Sequence, residues 1–246
     1  MEVEVAHPEH AILTWRDFLI HMGTVCLGLL LALGLEQSVE ALHHHHQRLQ
    51  LEEDLRAEAE RNVAILQQHL DVNIPNMLSD RAQLVALRST PVRNGFVDLT
   101  LPAPKVVGPH GMTAPERNVF PVAKSSGAIA LLPEAEAQAY ARVDFEAEED
   151  GKMVDQIRSS SSGLSEFELA SGSRLQPGTT LHLTSAQRDQ LVALLARHAE
   201  GLWALLARDN QYMNDCKGIV SGIRDVDTLN RYRGAQPFVV PDIVPR

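Results

Sequence analysis

The sequence predicts a mainly α-helical protein in which a single transmembrane helix continues into a long helix, packed in an approximately four-helix soluble bundle with one irregular, Pro-rich insertion. Three observations lead there. Residues 18–35 read FLIHMGTVCLGLLLALGL, without one Asp, Glu, Lys or Arg. Leu and Ala dominate while only 4% of residues are aromatic, a balance that suits helix-on-helix packing better than a β-sandwich. Long stretches then lack Gly and Pro and place Leu at helical spacing. The net charge of −10 excludes a basic nucleic-acid groove and offers no polybasic attraction to anionic lipid.

Residues 1–17 form a short tail. The apolar run Phe18–Leu35 covers about 27 Å as a helix, close to the hydrocarbon thickness of a bilayer. Trp15 falls at interfacial level. Arg16 flanks the span on its N-terminal side, whereas the first basic residue beyond it is Arg48. The positive-inside rule then puts the N-terminus in the cytoplasm and exports the C-terminal domain, periplasmic or extracellular. A cleaved signal peptide is the rival reading, with Ala32-Leu33-Gly34 as a small-x-small site. The acidic residues Glu2, Glu4 and Glu9 and the length of the run oppose it.

Residues 36–232 form the helical soluble domain. A helix is expected from Glu36 to about Val72, a turn at Asn73-Ile74-Pro75-Asn76, and a second, antiparallel helix over Met77–Arg88. Residues 91–132 hold six prolines and make the irregular insertion. Within it Phe96–Leu101 alternates as a strand, with Lys105-Val106-Val107 as its expected partner. A third helix starts near Pro133, with Glu134 and Glu136 suiting its dipole. It either breaks at Ser159–Gly163 or runs through to Ala170. Residues 171–183 read as a loop. Thr184 and Gln187 fit a capping box opening a fourth helix, whose broad face carries Leu191, Leu194, Leu195, His198, Leu202, Leu205 and Leu206 and which extends to about Ile223. The Pro-rich tail 233–246 is expected to lie extended.

Gly28-Leu-Leu-Leu-Ala-Leu-Gly-Leu-Glu-Gln37, running straight into a polar helix, resembles a group of uncharacterised bacterial single-span membrane proteins. Ser125-Ser-Gly-Ala-Ile-Ala-Leu-Leu132, followed by a helix with Tyr140, is similar to theirs as well. That resemblance implies a bacterial envelope setting and no established activity. The layout is also similar to four-helix periplasmic sensor domains, although those return through a second span.

Motifs of catalysis are missing from the sequence: no Gly-rich phosphate loop, no Gly-x-Ser-x-Gly, no His-Glu-x-x-His. His7-Pro-Glu-His10 has zinc-like spacing in one short stretch of tail, and Ser159–Ser162 reads as a solvated helix face or linker. No Asp or Glu stands out as isolated in apolar surroundings. Cys26 and Cys216 are too differently placed to suggest a disulfide. Neither a catalytic residue, a cofactor nor a metal ligand is assigned. The constellation with chemical potential is Glu36, Glu40, His43, His44 and His46, a pH-sensing or metal cluster just outside the membrane, though consecutive histidines fan around a helix and two further ligands would have to come from another chain.

A self-association face is also written into this region. Thr24, Gly28 and Ala32 make a small-xxx-small stripe that admits close helix approach. Leu35, Val39, Leu42, His46 and Leu49 continue it at a/d heptad spacing. After Leu49 the apolar stripe moves round the helix to Leu51, Leu55, Ala59, Val63, Leu66 and Leu70, the face expected to pack on the chain's own helices. The expected function is a membrane-anchored interaction or sensing module without catalysis, with the lipid bilayer, a second copy of the chain and a protein as partners and no nucleic acid. The alternatives are a structural subunit of an envelope complex, or a metal-dependent enzyme using the juxtamembrane histidines.

Overall fold

The computed structural model describes residues 15–102 and 112–238. The molecule is mainly helical and divides into two units, residues 1–49 and 50–246.

In the first unit the described residues, 15–49, are helical and form the start of α1 (Trp15–Ser89). Its apolar 18-residue stretch is long enough to cross a membrane, and none of it is buried against protein.

The second unit is built on three long helices: α1 from Gln50 onward, α3 (Glu134–Ser171) and α4 (Ser185–Val220). The expected turn at 73–76 and the antiparallel helix after it do not form, because α1 runs unbroken to Ser89 with Pro75 inside it. An interior proline costs about 3 kcal/mol. Leu66, Leu70, Met77, Leu84 and Leu87 flank it on the same helix and are buried. At about 1.5–3 kcal/mol for each large apolar side chain, their burial outweighs the break. The bundle therefore has three long helices, with Met77–Arg88 as the end of the first.

Side-chain contacts fix the helix directions. Asn62 meets Tyr212 and Asp80 meets His198, so α1 and α4 are antiparallel. Ser161 meets His198 and Glu146 meets Arg208, so α3 and α4 are antiparallel too. Leu51, Leu55, Ala59, Leu66 and Leu70 are buried as expected, with Val63 packed beside them. The α4 face from Leu191 to Leu206 is likewise in the core. A Cβ at Gly201 would come within 2.6 Å of Ile157 Cδ1, so the missing side chain sets how closely α3 approaches α4.

The third helix runs through the serine run: Ser160, Ser161 and Ser162 return their hydroxyls to carbonyls of the preceding turn. The capping box at Thr184 is present with both of its reciprocal bonds. β1 (Phe96–Thr100) forms where expected, but its partner is β2 (Thr180–Thr184), inside the segment read as a loop. Leu181 and Leu183 are buried, and this alternation was overlooked among the surrounding Gly, Ser and Pro. Lys105–Val107 lies outside the described residues. α4 stops at Val220, and α5 (Val226–Gly234), capped by Asp225, packs back on it. Gly234 thus closes a helix where the extended tail was expected to have begun. Beyond it the Gln236 carbonyl accepts from Asn214, and the rest of the tail from residue 239 is outside the described residues.

Residues 112–118 run along α1 as a strap before α2 (Val119–Ser126) and a short 3₁₀ turn (Ala128–Leu131). The strap has neither helical nor sheet bonds of its own, and α1 supplies them. Asn62 pairs with both backbone groups of Glu116, at 2.7 and 2.9 Å. Glu58 accepts the amides of Asn118 and Val119 and so caps α2, which has no side-chain cap of its own. His69 bonds the Thr113 carbonyl. From Thr113 to Asn118 an extended chain covers about 16.5 Å. From Glu58 to His69 an α-helix also covers about 16.5 Å. The lengths agree, so the strap runs near full extension, antiparallel to α1. Asn62→Ala leaves both Glu116 backbone groups unpaired. It should cost about 1–3 kcal/mol in thermal unfolding and make residues 112–118 the first site of limited proteolysis.

Candidate functional site

Each long helix points polar side chains into the core. His69 comes from α1, Asp150 from α3 and Asp209 from α4, all three buried. One donor atom from each lies within 4.8 Å of the others. His69 Nε2 is 2.9 Å from the Thr113 carbonyl oxygen, which can only accept, so Nε2 carries a hydrogen. The other nitrogen, Nδ1, faces Asp209 Oδ2 at 3.3 Å. Both oxygens of Asp150 lack a hydrogen-bond donor, as does Oδ1 of Asp209.

Burial pushes both carboxyls above the ordinary range, Asp150 further because the Asp209 charge adds to it. Burial also holds His69 below its usual value, against the attraction of Asp150. The arginines that act on the cluster are engaged elsewhere. Arg208 donates to Glu146, and Arg158 donates to the Met112 carbonyl and pairs with Asp155. Two adjacent buried carboxylates beside a bare imidazole nitrogen repel, so the arrangement calls for a positive charge between them, a shared proton or a cation. One nitrogen with two carboxylates is a donor set for zinc, manganese or iron rather than for an all-oxygen calcium site. Asn73 lies one helical turn beyond His69, fully buried, with both amide atoms unpartnered.

Two neighbouring groups differ from this one. Glu146 accepts from Arg142 and Arg208 at 2.7 Å each, and Asp215 pairs with Arg233 at 3.3 Å, so those buried acids have their counter-charges. Burial still pushes Asp215 up to about 6, against the pull of Arg233 and Arg142. Higher in the bundle Ser161 Oγ lies 3.0 Å from His198 Nε2, and His198 Nδ1 lies 2.6 Å from Asp80. They border a cleft of about 210 Å³ between α1, α3 and α4. The order of the three side chains is that of a nucleophile, base and orienting acid. Ser161 sits in mid-helix, however, where neighbouring amides are bonded within α3, and its own hydroxyl reaches the Ile157 carbonyl. Among the described residues, α3 offers an oxyanion no free backbone donor beside Ser161.

Thr24, Gly28, Ala32, Leu35, Val39, Leu42, His46 and Leu49 all lie on α1 and are exposed. A Cβ at Gly28 would meet nothing within 4 Å. Glu36, Glu40, His43, His44 and His46 are exposed as well; His43 Nε2 contacts Gln47 at 2.9 Å, and the rings of His43 and His44 are 6.4 Å apart. Among the described residues, the three-donor group is His69, Asp150 and Asp209, and the juxtamembrane residues do not form one. His7 and His10 lie outside the described residues.

The expectation that no acid sits in apolar surroundings is corrected by Asp150 and Asp209. A signal was present in the spacing. On α4 the buried residues Leu191, Leu195, His198, Leu202, Leu205, Asp209, Tyr212 and Cys216 alternate steps of four and three. His198 and Asp209 thus occupy positions of the apolar stripe. On α1, Leu55, Ala59, Asn62, Leu66, His69, Asn73 and Asn76 do the same. Compared with known proteins, the chain matches no family model, no curated protein and no solved structure.

A carboxyl whose pKa is raised by folding holds its proton more tightly in the native state. Its contribution to stability is complete below the ordinary carboxyl value near about 4 and is lost as pH rises through the raised value. In chelator-treated protein the melting temperature should therefore fall as pH rises from about 4. Asp150→Asn should flatten that decline, and parallel decline in both proteins would contradict the burial of that charge.

Proposed function

We propose that the chain is a membrane-anchored interaction or sensing module without catalysis, whose helical domain is exported and which self-associates through the membrane and juxtamembrane part of α1. The observation that carries this reading is an apolar stretch of α1 with no protein covering it. Such a surface requires lipid or another chain around it. Arg16, beside the span, supports a cytoplasmic N-terminus. The small stripe Thr24, Gly28 and Ala32 and the exposed Leu35, Val39, Leu42 and Leu49 support helix pairing, in the envelope setting that the resemblance implies. The buried His69 cluster supports sensing, since two core acids beside an imidazole respond to a change of protonation. Its closure from solvent supports a role without turnover.

A reporter that fluoresces only in the cytoplasm, fused after Arg246, should stay dark, while one active only outside the membrane should work there. The opposite pattern would reverse the topology and remove the sensing role from the cell exterior. Cys26 is exposed and Cys216 buried, so Cys26 can report self-association by crosslinking in membranes. Gly28→Ile places a branched side chain on the small stripe and should reduce that crosslink severalfold with the soluble helices still folded. An unchanged yield would mean that the stripe faces lipid.

A further inference from the structure

We propose that His69 Nδ1 and the carboxylates of Asp150 and Asp209 form a binding site for one divalent first-row transition cation in the core of the three-helix bundle. Three independent features point to a ligand. The first is convergence: donors from three helices lie within 4.8 Å of one another. At metal–ligand bonds of about 2.1 Å, the edge of a tetrahedral site is about 3.4 Å. The His69–Asp209 separation, 3.3 Å, already has that length.

The second is the orientation of His69. Its Nε2–H is committed to the Thr113 carbonyl, the outer-shell arrangement that fixes tautomer and ring plane in metal-binding histidines. The lone pair on Nδ1 thereby faces Asp209 Oδ2. The third is Asp150, which is fully buried, directed into the cluster and unpartnered at both oxygens. The nearby acids Glu146 and Asp215 are paired with arginines, whereas the neighbour of Asp150 is a second acid, Asp209. A buried carboxylate without a donor or counter-ion is expensive, and a dication answers both carboxylates at once.

The donor chemistry favours zinc, manganese or ferrous iron over calcium and magnesium. All three ligands are buried, and three protein donors leave one position of a tetrahedral cation to be filled. Asn73, one turn along α1 from His69, is buried with both amide atoms unpartnered. Because His69 also holds the strap, cation loading would stiffen residues 112–118.

The test uses the full chain, purified in detergent and stripped with chelator. Four adjacent imidazoles bind zinc unaided, so the background protein carries His43→Ala, His44→Ala, His45→Ala and His46→Ala. In equilibrium dialysis it should take up one zinc per chain, melt at higher temperature, and protect residues 112–118 from protease. Asp150→Asn or Asp209→Asn should weaken uptake at least tenfold. Cobalt(II) offers a measurement independent of any core variant. Intense visible bands that vanish with chelator mark a low-coordinate protein site, and the pale spectrum of hydrated cobalt would overturn the proposal. Absence of stoichiometric zinc in the background protein, or unchanged uptake by both aspartate variants, would overturn it too. That failure would leave the topology and crosslinking results as they stand, since those concern residues 15–49.

Discussion

Residues 112–118 have to cross the flank of a helix without a sheet to receive them. Their backbone groups need partners as much as any others do. Side chains of α1 provide them: Glu58 for two amides, Asn62 for both groups of Glu116, His69 for the Thr113 carbonyl. Part of the polar content of the core follows from that requirement. Glu58, Asn62 and His69 occupy a face of α1 that apolar residues would otherwise fill, because an apolar face would leave the strap unsatisfied. The strap runs antiparallel to α1, so α3 can then run parallel to α1.

Close approach of the helices makes the same polar groups consequential. Gly201 brings α4 against Ile157 of α3, so side chains on facing stripes meet in a confined space. Where they are complementary, as with Arg142, Arg208 and Glu146, the burial of charge is offset by pairing. At His69, Asp150 and Asp209 it is not. A register shift of one position in any of the three helices would separate those groups and leave each alone in hydrocarbon, so the cluster also specifies how the helices align.

The sequence was informative where one rule acted alone. Eighteen apolar residues without charge marked the candidate span, Thr184 and Gln187 marked a helix start, and the shift of the stripe at Leu51 marked where α1 enters its own core. It misled where two rules competed. Pro75 carried a strong local signal for a turn, yet the burial of leucines on both sides of it decided the outcome. Thr180–Thr184 was hidden by its Gly- and Pro-rich surroundings, and its pairing partner lies far off in sequence, out of reach of any local pattern. The core acids were missed for a related reason. Asp150 and Asp209 are ordinary residues on polar-looking helices until the four-and-three spacing shows which way they face, and their meeting with His69 depends on three helices that only tertiary packing brings together.

The pairing of β1 with β2 has a consequence in polymer terms. The ladder from Phe96↔Thr184 to Thr100↔Thr180 ties together the ends of a long excursion that contains the strap, α2 and α3. Closing such a loop costs entropy that grows only with the logarithm of its length, so a loop of about eighty residues is little dearer than one of forty. Once the ladder is made, the end of α1, just before β1, and the start of α4, just after β2, are held together. Contacts between those two helices then close a short loop instead of one that includes the whole excursion, and each needs a smaller further loss of chain freedom. A sheet of two short strands thereby does for the helices what a covalent cross-link does for a small domain.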